Sequence, residues 1–463
     1  MDALLLARIQ FGANITFHIL FPTITIALCW VLLFFKLRYD AGRGEHWLDA
    51  YRFWVKIFAL SFALGVVSGV TMSFQFGTNW PGFMATVGNV AGPLLAYEVL
   101  TAFFLEATFL GILLFGFNRV PAWLYVLSAA IVAFGTAMSA FWILSANSWM
   151  QTPTGHEVRN GIAYPVDWLA IVFNPSFPYR FAHMLNAAYL TTGFVVIAVG
   201  ARYLLAGKHI EDAKVMMRMG IGLMAILAPL QLFIGDQHGL NTLKHQPIKV
   251  AAMEGHWDGS KPADFHIFAW PDEKAERNWF EVSIPHGSSL ILTHSWDGLV
   301  PGLKSVPPDQ RPPLLNVFFG FRIMLAVGFY MIAAALLGVF LWWRDRLFDT
   351  DWYLRILSMT WWTGFVAVIA GWVVTESGRQ PWLVHGLLRT ADAISPVPAA
   401  SLLGTLALFV VCYGIVFSMG IYYINRLINK GPEGRALEEP EGLPNRPLSG
   451  AEGAARDAIG QGG

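Results

Sequence analysis

Five titratable or iron-ligating side chains sit inside long apolar runs: His18, Glu98, Glu106, His183 and Glu376. A group that can ionise is costly in hydrocarbon, so its presence there argues for a function. The histidines offer imidazole nitrogens to a metal or to haem iron. The carboxylates can hold and pass protons. Together they point to a redox enzyme that moves protons. Met324 adds a thioether about ten residues into another apolar run. His183 with Met324 would make a six-coordinate low-spin haem, an electron carrier whose Met ligand raises the potential. Iron held by His18, or by the weak ligand Glu376, would keep a position open for a gas molecule.

Each residue also has a structural reading. A lone membrane His can hydrogen-bond across helices, Met324 can be core filler, and Glu98 or Glu106 can form an ion pair. Arg322 can snorkel outward. Their shared depth is what weakens these readings together.

The elements that must position these groups are membrane helices. The chain has 463 residues, 55% hydrophobic and only 13% charged, against about a quarter in a soluble domain. The formal net charge is zero, which argues against nucleic acid as a partner. Its two cysteines, Cys29 and Cys412, lie in apolar runs and suit neither a disulfide framework nor a zinc site. The first apolar run is too long for a cleaved signal and ends at Lys36 and Arg38, so it reads as a retained helix.

Runs of about 20 apolar residues predict an all-α membrane protein of nine helices. They cover residues 13–36, 53–77, 93–117, 122–147, 181–204, 217–236, 314–343, 353–376 and 400–425. Thirteen Lys and Arg flank one side and five the other, which puts the N-terminus outside and the C-terminus in the cytoplasm. The chain thus divides into residues 1–236, helices 1–6 with haem-ligand and proton-path residues; 237–312, an outer loop; 313–430, helices 7–9; and 431–463. The loop, mixing Trp, Pro, His and acidic residues, reads as a small ordered lid. The Gly-, Pro- and Glu-rich tail reads as disordered.

Depth follows from this topology. His18, Glu98, His183 and Glu376 fall near the outer ends of their helices. Glu106 lies deeper, eight residues from Glu98, or ~12 Å along an axis and on broadly the same face. That geometry suits a relay from mid-bilayer to an outer site.

The residues also carry a family likeness. Gly371-Trp372 followed by Glu376-Ser377-Gly378-Arg379-Gln380-Pro381-Trp382 resembles the GRQPW signature of cytochrome bd quinol oxidase subunit I. So do ARIQFGANITFHILFP around His18, FFLEATF around Glu106, SANSWMQTP at 145–153 and FRIML around Met324. Order and spacing match over residues 1–425. The resemblance implies nine helices, three haems and oxidation of a quinol by oxygen in a bacterial cytoplasmic membrane.

Carried over by position, His183 and Met324 resemble the ligands of a low-spin haem b, and His18 and Glu376 those of two high-spin haems. Glu98 resembles the carboxylate beside the oxygen-reactive haem, Trp372 an aromatic between haems, and Glu106 a proton way-station. Arg379, Arg322 and Asn147 resemble propionate-binding positions. Lys249 and Glu254 lie in a stretch similar to the family's quinol-binding loop, where they would bind the head group and take its proton. The implied cofactors are two haem b and one haem d, or a third haem b in its place. The implied partners are subunit II, small single-helix subunits, ubiquinol or menaquinol, and O2.

The short outer loop resembles the short-loop branch, which includes cyanide-insensitive oxidases. Ala107 stands where many relatives carry a hydroxyl after the helix-3 Glu; Thr108 or Ser139 are the available substitutes. On this reading quinol protons leave outside, and protons for water formation come from the cytoplasm, so charge separates without a pump. Two rivals remain at this stage. A dihaem cytochrome b subunit would not need Glu376 and Glu98 at an open iron, and a proton-coupled transporter would lack the His–Met pair.

Overall fold

The computed structural model describes residues 2–432. Helix α1 (Ala3–Asp40) is capped by the Asp2 carboxylate and ends on Arg38, a charge pattern that suits the helix dipole. Helix α2 (Glu45–Thr78) returns across the bilayer. Helix α3 (Pro81–Glu98) has proline in its first turn, where no backbone donor is missed. It continues through a π turn (Val99–Phe103) into α4 (Phe104–Phe115), and the three make one span. Helix α5 (Ala122–Gln151) follows.

A hairpin of β1 (His156–Arg159) and β2 (Ile162–Pro165) turns at Asn160-Gly161, both with positive φ, as a tight two-residue turn requires. Then come the short α6 (Trp168–Val172), α7 (Phe177–Leu205) and α8 (Ile210–His245). The connection to the next span holds α9 (Pro247–Glu254), the antiparallel pair β3 (Phe265–Asp272) and β4 (Arg277–Ile284), and α10 (Gly287–Thr293). Helices α11 (Leu314–Trp343), α12 (Asp351–Met359) and α13 (Thr363–Ser377) precede the small pair β5 (Trp382–Val384) and β6 (Leu388–Arg389), and α14 (Ala399–Lys430) closes the described chain.

Among the described residues eight helices are long and apolar enough to cross a membrane, or nine if the pair α12–α13, bent by 41°, is one span. They pack as two four-helix rings. In one, α1, α2, α3 and α5 each touch their neighbours around the ring. In the other, α7, α8, α11 and α13 do the same. Contacts of α7 with α1 and α5 join the rings. Cofactor sites in bundles are built from side chains on facing helices.

Aromatic and aliphatic packing fills the ends of the bundle. Trp54, Phe35, Phe58 and Tyr51 form one fully buried cluster with Tyr125. Its two phenols are satisfied: the Tyr51 and Tyr125 hydroxyls are 2.7 Å apart, and Tyr125 donates to the Leu113 carbonyl, whereas the buried Trp54 Nε1 has no partner. Trp80, Phe83, Leu94 and Trp149 fill the opposite end of the first ring.

Several edges differ from the sequence expectation. The span expected over 353–376 is broken at Thr360–Trp362, where the Thr360 hydroxyl bonds back to the Ile356 carbonyl and competes with the helix ladder. Helix α8 runs to His245, so the expected border at 236 falls inside it. Its 36 residues reach ~54 Å, beyond a hydrocarbon core of ~30 Å, so its polar last turns stand clear of the lipid. The third span starts twelve residues earlier than expected, at Pro81. The connection of 246–313 is ordered into helix and hairpin. Of the tail expected to be disordered, residues 433–463 lie outside the described residues.

Candidate functional site

The two histidines are held on the inner helices of the two rings. His18 leaves α1, and its Nδ1 lies 3.1 Å from the Ser68 hydroxyl of α2. That contact orients the ring and leaves Nε2 for another partner. His183 leaves α7 beside α8, with its Nδ1 buried and without a hydrogen-bond partner. Met324 leaves α11, diagonally across the second ring from α7.

Each of these three ligand candidates is faced by a glycine of a neighbouring helix. A Cβ on Gly69 would stand 3.1 Å from His18 Cε1, one on Gly235 would stand 3.6 Å from His183 Cε1, and one on Gly371 would stand 3.1 Å from Met324 Sδ. A Cβ would press on His18 and on Met324, whereas at Gly235 it would make an ordinary contact with His183.

Glu376, in the last turn of α13, accepts from the Asn147 amide of α5 at 2.9 Å and is paired with Arg379. Thus α13 is tied to the first ring as well as the second. Trp372 lies one turn before Glu376 on α13, half-buried.

A cluster of cations surrounds that carboxylate, and much of it lacks partners. Arg379 Nε and Nη1 and Arg180 Nε are buried and unbonded. A buried guanidinium without acceptors is costly, so an anionic group fits there, and haem propionates are carboxylates. In the sequence Arg180 is one of the five Lys and Arg on the outer side. Its invisible role depends on α7 bringing it to the end of α13, which no local pattern reports. Lys249 of α9 is buried beside both arginines and donates to Gln151 at 2.6 Å. Burial, then the Arg180 and Arg379 guanidiniums, hold its ammonium well below the ordinary lysine range. His238 was also missed: its ring lies edge-on 5.2 Å from that of His183.

The two glutamates of the third span share a partner helix. Glu98 accepts from Ser139 of α5 at 2.8 Å, whereas Glu106 lies against Gly135, one turn away on the same helix. Eight residues overshoot two α-turns by about 80°, but the extra residue of the π turn between them absorbs the overshoot. The two carboxylates therefore face α5 together. Their contacts on α5 lie ~6 Å apart along its axis, nearer than the 12 Å their own spacing suggests. Ser139, one of the two substitutes for the absent hydroxyl at Ala107, thus serves Glu98. Glu106 is buried, and its Oε1 has no partner.

The Arg322 guanidinium donates to the carbonyls of His266 (2.6 and 2.9 Å) and Met253, and stands 3.7 Å from Glu254. It ties the loop to α11. Glu254 is buried and accepts from Ser288 at 2.7 Å. Lys249 and Glu254 leave α9 about 140° apart and share no partner, so the loop does not bring them together.

Fold and site define a class: a multi-pass helical membrane protein whose two rings carry His, Met and Glu candidates for iron beside unpaired buried cations. Residues 6–432 match the family described as cytochrome bd terminal oxidase subunit I. The chain is 38% identical to cytochrome bd ubiquinol oxidase subunit 1 of Bacillus subtilis (strain 168), over 94% of this chain and 95% of that one. It is 32% identical to cytochrome bd-II ubiquinol oxidase subunit 1 of Escherichia coli (strain K12), over 95% and 99%. Its fold is similar to that of the bd oxidase from Geobacillus thermodenitrificans, with a TM-score of 0.85, 28% identity, and coverage of 93% of this chain and 99% of that one. The chain belongs to the cytochrome bd oxidase subunit I family, and is a multi-pass protein of the bacterial cell membrane.

Proposed function

We propose that the chain is the haem-bearing subunit of a quinol:oxygen oxidoreductase. The observation that carries this reading is the pairing of glycine-faced ligand atoms with unbonded buried guanidiniums: His18, His183 and Met324 beside Gly69, Gly235 and Gly371, and Arg180 and Arg379 nearby. Those features suit a flat iron cofactor with carboxylate arms. His183 and Met324 hold the low-spin haem b. His18 and Glu376 hold the two high-spin haems, of types b and d, or b throughout. Arg379, Arg180 and Asn147 take the propionates. Bound haem would supply one-electron transfer and the reduction of O2 to water.

The chain's own residues handle quinol and protons. Quinol, ubiquinol or menaquinol, binds under the 246–313 connection at the outer face. Glu254 takes its hydroxyl proton, and Arg322 holds that carboxylate and the surrounding loop in place. Lys249, whose pKa is held below the ordinary lysine range by burial and by Arg180 and Arg379, is the second polar contact. Protons for water formation come from the cytoplasm, with Glu106 the way-station and Glu98 the carboxylate next to the oxygen site. Their common face on α5 supports transfer between them. Charge separation then needs no pump.

The N-terminus lies outside and the described C-terminal helix ends in the cytoplasm, as the Lys and Arg bias supports. Subunit II and small single-helix subunits cover apolar faces such as that of α14, where Leu408, Val410 and Ile415 are exposed. The test is the visible spectrum of the purified complex. Three haems, one of them binding CO, are expected; a protein without haem overturns the reading.

A further inference from the structure

Glu254 is buried, so a proton it accepts needs a way out. The chain turns sharply after it. Gly255 has φ +74°, and a Cβ there would press on the Phe318 ring at 3.0 Å. The turn sends Glu254 toward Ser288 and Arg322, and His256 toward the loop interior. His256 is 5% exposed. Its Nε2 lies 2.8 Å from the Asp264 carbonyl, which can only accept, so Nε2 carries the hydrogen in either protonation state. The nitrogen with a free lone pair is therefore Nδ1, which is buried and has no partner.

His266 lies edge-on to His256, with ring centroids 5.3 Å apart, and its Nδ1 is 2.7 Å from the Ser283 hydroxyl. Both histidines line a pocket of about 430 Å³ in the outer connection. Its other walls include Asp258, Asp264, Glu276, Glu281 and Arg277, with Lys304 paired to Asp258 at 2.9 Å and Arg311 to Glu276 at 2.7 Å.

The Ser288 hydroxyl stands within reach of both Glu254 Oε2 (2.7 Å) and the Asp264 carbonyl (3.0 Å). It has one hydrogen to give. When Glu254 is ionised that hydrogen goes to the carboxylate. When Glu254 is protonated the carboxyl can donate to Ser288, whose hydrogen turns to Asp264. The network thus accepts either state of Glu254 without leaving a buried group unmade.

We propose that His256 and His266 form the exit by which a proton taken up at Glu254 reaches the outer pocket. The proposal rests on the reading of Glu254 as the quinol's proton acceptor. The balance is simple: the Glu254 carboxyl loses a proton to imidazole, and the imidazolium loses it to pocket water. Carboxylate and neutral imidazole are restored, and no electron moves in this leg. The groups facing His266 are His256, Glu281 of β4, Arg322 of α11 and Glu254 of α9. Burial, then His256, hold His266 below the ordinary histidine range, so it gives up its proton readily to water.

The test uses the intact oxidase complex with His256→Gln and His266→Asn, singly and together. In the double variant kcat should fall about tenfold, less than for a lost general base because water can bypass the pair. Quinol KM and haem content should stay as in wild type. Added imidazole should restore turnover, and the acid limb of the kcat–pH profile should move. Wild-type kcat and pH profile in the double variant overturn the proposal. So does a loss that imidazole does not restore, which marks a structural role. Glu254→Gln separates the two levels. If it turns over like wild type, the quinol reading itself fails. If it is impaired while the histidine variants are not, only the exit fails.

Discussion

Gly371 of α13 faces the sulfur of Met324 on α11, so closely that a Cβ on the glycine would stand 3.1 Å from Sδ. The two helices pack along their length, and the same α13 carries Trp372 and Glu376 farther on. One helix thus sets the space beside the thioether and presents a carboxylate to the Arg379–Asn147 cluster.

Gly371→Ala should therefore disturb the low-spin haem without removing a ligand. The added methyl presses on Sδ, and the reduced low-spin band should shift or weaken. His183→Ala and Met324→Leu should each abolish that band and quinol oxidation. Reduced-minus-oxidised spectra check this, and a full low-spin band in Met324→Leu would sink the ligand assignment.

Arg180→Ala and Arg379→Ala should each lower haem retention, about tenfold or more in loss rate, as removal of outer ligand-supporting groups does elsewhere. Arg180→Lys should recover part of the loss, since charge returns but the planar fork does not. Haem-to-protein ratio after gel filtration reads the outcome, and full retention in both alanine variants would show that the guanidiniums serve only the helix packing.

Glu106→Gln should slow oxygen reduction about 100-fold while quinol-to-haem electron transfer stays largely intact. Gln keeps the shape at Gly135 but carries no proton. Stopped-flow oxidation of the fully reduced enzyme separates this from a structural role. A wild-type rate at the proton-coupled step would retire Glu106 as a carrier.

Glu254→Ala, and less severely Lys249→Ala, should impair quinol oxidation with haems still bound. The sign of the pH effect follows from Lys249. Its pKa is lowered, so the neutral amine persists to lower pH than for a free lysine. Activity that needs this neutral amine is present above the lowered pKa and is lost as pH falls through it. That limb should vanish in Lys249→Gln. Haem loss with unchanged quinol kinetics would instead mark the loop as structural.

The sequence by itself determined the class and the inventory. Apolar runs long enough to span a bilayer are a local property, and so is the anomaly of His18, His183, Glu98, Glu106 and Glu376 within them. The motif around Trp372 and Arg379 was legible for the same reason. Tertiary structure decided which of these residues meet. The break at Thr360–Trp362 lies inside one apolar run, which carries no local signal of it. The shared face of Glu98 and Glu106 depends on a π turn that an ideal 3.6-residue period does not contain. Arg180 became part of the site, and Arg322 part of the loop, because helices distant in sequence bring acceptors to one and not the other. Long cationic side chains reach whatever packing offers them, so their partners are set by the fold and cannot be read from spacing.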